Sequence, residues 1–143
     1  MEKFQLTLLF KIIGLGSASG LIYTNSSIIA IGDNSSYLYE YSLETLNLKR
    51  TALTTNPQEN IEKKVKLDFE AITQHQDTIY IFGSGSTENR NTMVKIDAKT
   101  KKIIEHVDLS NLYLALQSFG EIKSEDFNIE GVVFDGTTWY FFN

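Results

Sequence analysis

The sequence predicts an all-β fold with one short helix, assembled from a repeated four-stranded unit. Three observations carry this. Short runs rich in Ile, Val, Tyr, Phe and Thr recur through the 143 residues, with turn residues between them. Several of these runs align with one another at a constant offset. Hydrophobic residues make up 42% and charged residues 22%, which is enough apolar surface for a core and too little charge for a disordered chain.

The elements follow in order. Residues 4–13 alternate, with Phe4, Leu6, Leu8, Phe10 and Ile12 on one face and Gln5, Thr7, Leu9 and Lys11 on the other. Period two predicts a half-buried strand. A signal peptide is the competing reading of this apolar run, with Ser17-Ala18-Ser19 as a small-residue cleavage site. Lys11 in the middle of the run favours the strand. Further strands are expected at 21–23, 28–31, 37–41, 48–53, 69–73, 78–82, 93–96, 103–107, 132–134 and 138–142. No run approaches the ~20 apolar residues of a membrane-spanning helix.

The strands repeat. Ser19-Gly20-Leu21-Ile22-Tyr23, a turn, then Ile28 to Gly32 align with Glu70-Ala71-Ile72-Thr73-Gln74, a turn, then Ile79 to Gly83. Glu130-Gly131-Val132-Val133-Phe134 begins a third copy, whose Asp135-Gly136 is a strong hairpin signal. Leu38 to Thr45 likewise align with Met93 to Thr100. Ser42 and Asp97 each open a turn in which a side-chain oxygen is expected to bond a backbone N–H two residues on. The unit is therefore four strands in about 50 to 60 residues, the pattern of propeller blades. Chance likeness between β-rich segments is the alternative.

The expected architecture is a partial β-propeller of about two and a half four-stranded blades. It consists of a first strand at 4–13, a blade at 17–55, a blade at 68–108 and a half blade at 128–143. The chain is expected to be an N-terminal piece of a longer protein. A ring assembled from several chains, or a small barrel or sandwich, are the alternatives. Residues 56–66 read as a polar surface connection. Residues 110–119 carry Leu112, Ala115, Leu116 and Phe119 at helical spacing, with Ser110 as expected N-cap.

Composition excludes several function classes. Thirteen basic residues against eighteen acidic ones give a net charge of -5, which argues against nucleic-acid binding. The chain has no cysteine, so disulfides, thiolate metal sites and cysteine nucleophiles are excluded. Gly14 to Gly20 lacks the spacing of a dinucleotide fingerprint and the serine of a nucleophile elbow.

The stretch Asp68-Phe69-Glu70-Ala71-Ile72, followed by Tyr80 and Gly83-Ser84-Gly85-Ser86, resembles a motif of uncharacterised bacterial β-propeller proteins, many from Bacteroidetes. Asn128-Ile129-Glu130-Gly131 resembles a second copy and Ser17-Ala18-Ser19-Gly20 a third without the acid. The resemblance covers residues 4–143 and implies a ring of about five or six blades. The same strand opening is distantly similar to that of esterase-like or phytase-like propellers and of the gluconolactonase and regucalcin group. In the latter, a Glu before Gly at the start of an inner strand ligates a divalent metal. That resemblance implies Glu70 and Glu130 as the matching ligands, although Ile72 and Val132 stand where that group commonly has proline.

The residues themselves leave two readings of these acids. Glu70 and Glu130 hold equivalent positions, so their carboxylates would converge on one axis and repel unless a cation sat between them. Oxygen ligands without Cys or paired His favour Ca²⁺ or Mg²⁺, with Asp68 and Asp126 as weaker helpers. Alternatively the acids bond backbone N–H groups and stabilise the blade junction. Gly83 to Asn91 reads as a polar loop, either simply solvated or contacting an anion through Ser84, Ser86 and Arg90. His75 and His106 lack metal-ligand spacing and read as surface or packing residues. Tyr37, Tyr39, Tyr41, Trp139 and Phe141 read as packing between blades.

The functional expectation is a ligand-binding or interaction scaffold, inactive as this piece, with no catalytic residue to name. The alternative is a divalent-metal-assisted hydrolase of phosphate or carboxylic esters. Expected partners are a small molecule or a protein, with self-association through open blade edges, and neither nucleic acid nor a membrane span. A cytoplasmic location is favoured over a secreted or periplasmic one.

Overall fold

A computed structural model describes residues 4–8, 11–24 and 26–143. The first sheet contains β1 (Ala18–Tyr23), β2 (Ser27–Gly32), β3 (Tyr37–Ser42) and β4 (Leu48–Ala52). The second contains β5 (Phe69–His75), β6 (Thr78–Gly83), β7 (Thr92–Asp97) and β8 (Ile103–Asp108). Helix α1 (Ser110–Gly120) follows, then a 3₁₀ turn (Ser124–Asp126) and the hairpin β9 (Gly131–Phe134) and β10 (Trp139–Phe142). Both sheets are antiparallel meanders in chain order, as propeller blades are. The fold is thus mostly β, about two and a half blade-like units with one short helix. Among the described residues no helix is long and apolar enough to cross a membrane.

The repeat read from the sequence is reproduced in register. Ala18 pairs with Gly32 and Gly20 with Ile31, leaving a bulge at Ser19. Phe69 pairs with Gly83 and Ala71 with Phe82, leaving the same bulge at Glu70. In the hairpin Gly131 pairs with Phe142, as Ala71 does with Phe82. The turns between third and fourth strands also match. Leu46 and Lys101 hold equivalent positions, and both have positive φ, 55° and 58°.

Two apolar layers join these units. Ile29, Ile31 and Leu38 of the first sheet pack on Ile79, Ile81 and Val94 of the second. On its other side the second sheet sets Ala71, Phe82 and Met93 against Tyr113 of α1 and Val132 of the hairpin. Trp139 meets Tyr80 at 5.0 Å and Phe82 at 5.6 Å, both edge to face. Trp139 and Phe141 therefore pack between units, as expected. His75 packs its ring against Phe134, and His106 lies exposed on the outer strand β8.

Several expectations are corrected. No strand forms at 4–8 or 11–13, where Phe4, Leu6, Leu8 and Ile13 are exposed; Leu9 and Phe10 lie outside the described residues. Ser110 is the first helical residue rather than the cap, and Asp108 accepts its N–H and hydroxyl at 2.9 and 2.6 Å. The helix buries Tyr113 and half-buries Leu116, while Leu112 and Phe119 face out. Ser42 accepts the N–H three residues on, from Thr45, rather than two, and Asp97 accepts that of Thr100 at 2.6 Å beside that of Lys99 two residues on.

Candidate functional site

The acids converge where the inner strands open. A bulge leaves one residue out of the ladder and re-aims its side chain. At the bulge of β5 that residue is Glu70, half-buried. Its carboxylate lies in a group with those of Asp33 and Asp68, all within 4.8 Å of one another. Asp33 comes from the turn after β2 and Asp68 from the residue before β5, which adopts φ 54°.

Cations of the chain itself enter this group. The Lys66 ammonium lies 2.6 Å from Asp33 Oδ2 and 2.5 Å from Asp68 Oδ1. Arg90 Nη1 lies 2.8 Å from Asp68 Oδ2, and the Ser84 hydroxyl donates to the same oxygen at 2.7 Å. Burial opposes the charge on Asp68, but Lys66, Ser84 and Arg90 outweigh it and hold the carboxyl below its ordinary value. Burial likewise opposes the charge on Lys66, and its hydrogen bonds to Asp33 and Asp68 overcome it, holding the ammonium above the ordinary lysine value. Glu70 is different. Among the described residues its carboxylate makes no hydrogen bond or ion pair. Burial first, then the charges of Asp68, Glu130 and Asp33, push its carboxyl up to about 7 against a weaker opposing pull from Lys66.

The other expected residues divide. Glu130 directly precedes β9, and its N–H donates to the Phe142 carbonyl at 2.9 Å. It is exposed, accepts the Asn128 amide and acts on Glu70 through its charge, outside the group of three carboxylates. The Asp126 side chain joins none of this; its main-chain carbonyl accepts from Asn143. Ser84, Ser86 and Arg90 do cluster, but on internal partners. The Arg90 guanidinium donates to Ser86 Oγ at 2.6 Å and to the Lys63 carbonyl at 2.8 Å. Sequence reasoning missed Asp33 and Lys66. The signal for Asp33 was available, since Gly32-Asp33 aligns with Gly83-Ser84.

Residues 14–143 match a family described as Family of unknown function (DUF6929). The chain belongs to DUF6929. No curated protein matches it significantly. The bulge of this DUF6929 chain thus sets an unpaired carboxyl beside two carboxylates that the chain's own cations bridge. Calcium takes about 6–8 oxygen ligands and magnesium a strict octahedron. With Lys66 between Asp33 and Asp68, and Arg90 on Asp68, the donor set as arranged does not fit a resident divalent ion. Apart from this cluster, DUF6929 residues Phe82, Leu112, Trp139 and Phe141 line an apolar groove of about 430 Å³ between the second sheet, α1 and the hairpin.

Proposed function

We propose that the chain is a non-catalytic binding or interaction scaffold built from propeller-type blades. One observation carries the reading: two of the three clustered acids are neutralised from within, Asp68 by Lys66 and Arg90 and Asp33 by Lys66. A carboxylate held by two cations and a hydroxyl has little charge left to offer a metal, and displacing a buried pair costs several kcal/mol. The alternative, a divalent-metal-assisted hydrolase of phosphate or carboxylic esters, draws its support from Glu70, the carboxyl without a partner.

Thermal melts with and without millimolar Ca²⁺ or Mg²⁺, beside turnover assays with generic phosphate and carboxylic esters, separate the two. A ligand that binds only the folded chain raises Tm. The scaffold reading expects Tm unchanged and no turnover above background. A metal-dependent rise in Tm that disappears in Glu70→Gln and Glu130→Gln, or ester turnover lost in those variants, overturns it in favour of the hydrolase.

A further inference from the structure

Each sheet has two faces, and the register fixes which side chains share one. Leu21 and Tyr23 of β1 stand opposite Ala30 and Ile28 of β2 on one face of the first sheet. The equivalent face of the second sheet carries Ile72, Ile79, Ile81 and Val94, which pack against the first sheet. The equivalent face of the hairpin carries Val132, Trp139 and Phe141, which pack against the second sheet. This leading face always meets the trailing face of the unit before it. The trailing faces are Ile29, Ile31 and Leu38 in the first sheet and Ala71, Phe82 and Met93 in the second.

Among the described residues, two faces of these same kinds meet no further sheet. On the leading face of the first sheet, Leu21 is 65% exposed and Tyr23 66%. An apolar groove of about 360 Å³ runs across it, lined by Ile12, Leu15, Leu21, Ile28 and Ala30. On the trailing face of the hairpin, Val133, Tyr140 and Phe142 are 48%, 48% and 55% exposed. Side by side, these residues form apolar patches of the kind that mark interaction surfaces. One face is grooved, and the other presents projecting aromatic side chains.

We propose that the partner of each is a second copy of this chain, docked head to tail, with the hairpin's Tyr140 and Phe142 seated on the Leu21 and Tyr23 face of its neighbour. The contact repeats the trailing-to-leading interface the chain already makes twice internally and continues the same stack of sheets. It is heterologous, using two different patches, so successive copies close a ring or extend a filament. The proposal is independent of whether the Glu70 cluster binds metal.

Size-exclusion chromatography with light scattering, from about 10 to 300 µM, tests it with two exposed-face variants. Leu21→Lys blocks one patch and Tyr140→Lys the other; far-UV circular dichroism confirms that both fold, and Tyr23→Lys replaces Leu21→Lys if that variant does not. The wild-type chain is expected to elute as a multimer. Each variant alone should fall to the 16.2 kDa of one chain. Mixed in equal amounts, they should form a dimer, because the intact hairpin of one meets the intact sheet of the other. A wild-type monomer throughout the range overturns the proposal. So does a multimer that survives Leu21→Lys, or a mixture that stays monomeric, since either requires a different interface.

Discussion

Glu70 is costly to ionise because the fold gives it burial and negative neighbours and no partner. An unfolded glutamate titrates near 4.5, whereas burial, then Asp68, Glu130 and Asp33, raise the folded carboxyl to about 7. Between those values the native state holds a proton that the unfolded state has lost. Stability therefore falls as pH rises from about 4.5 to about 7 and levels off above. Asp68 acts oppositely: its depressed carboxyl contributes stability above its unfolded value of 3.8, which is lost as pH falls through the folded one. Glu70→Gln keeps the shape without the charge. At about pH 8 it should be more stable than wild type by about 1–2 kcal/mol, after allowance for partial exposure. Urea denaturation across pH checks this; a wild-type profile flat from about pH 5 to 8, or a Glu70→Gln profile parallel to it, contradicts it. The positions of Glu70 and Asp68 were legible because the strand opening is repeated in the sequence. Their partner Lys66 was not. It sits in a polar stretch with no local signal, and it pairs with Asp33, 33 residues away.

Tyr113 is the fully buried anchor of the helix on the second sheet, and it passes beneath Gly85. The Tyr113 hydroxyl donates to the Gly83 carbonyl at 2.8 Å, and burial pushes its pKa up. Gly85 has φ +74°, and a Cβ there would lie 2.5 Å from the Tyr113 ring and 2.6 Å from Phe127. Only glycine meets both conditions. Gly85→Ala should therefore cost about 2–4 kcal/mol, through overpacking and strained backbone together. Tyr113→Phe keeps the ring and leaves the carbonyl without its donor, at a cost of about 1–2 kcal/mol. Chemical denaturation of both variants checks the order; Tyr113→Phe costing as much as Gly85→Ala would refute it. At this scale the strands and the existence of the helix were readable from periodicity, but the helix's buried face was not. Spacing pointed to Leu112, Ala115, Leu116 and Phe119, of which Leu116 packs on the core, whereas the fully buried residue is Tyr113, seated beneath the turn at Gly83 to Ser86.

Among the described residues the units pack in series, the first sheet on the second and the second on the hairpin, so stability should vary along the chain. The first and second sheets share a layer of aliphatic side chains, most of them fully buried. The hairpin has two strands, too few to be stable alone, and relies on its docked face. That face is aromatic: Trp139 stacks on Phe134 at 4.3 Å and meets Tyr80 and Phe82 edge to face. Two further bonds tie its start, from the Ile129 N–H to the Ser84 carbonyl at 2.8 Å and from Glu130 to Phe142 at 2.9 Å. Trp139 is the chain's only tryptophan, so its emission reports hairpin docking, while far-UV circular dichroism reports mostly the two sheets. Because locally weaker units open first, the emission change should come at lower urea than the circular-dichroism change. Phe134→Ala, which removes the stacked ring, should lower the emission midpoint by more than the circular-dichroism midpoint. Coincident transitions in both proteins would mean that hairpin and sheets unfold together. The stack would then be one cooperative block, with the aromatic layer coupling the hairpin as firmly as the aliphatic layer couples the sheets.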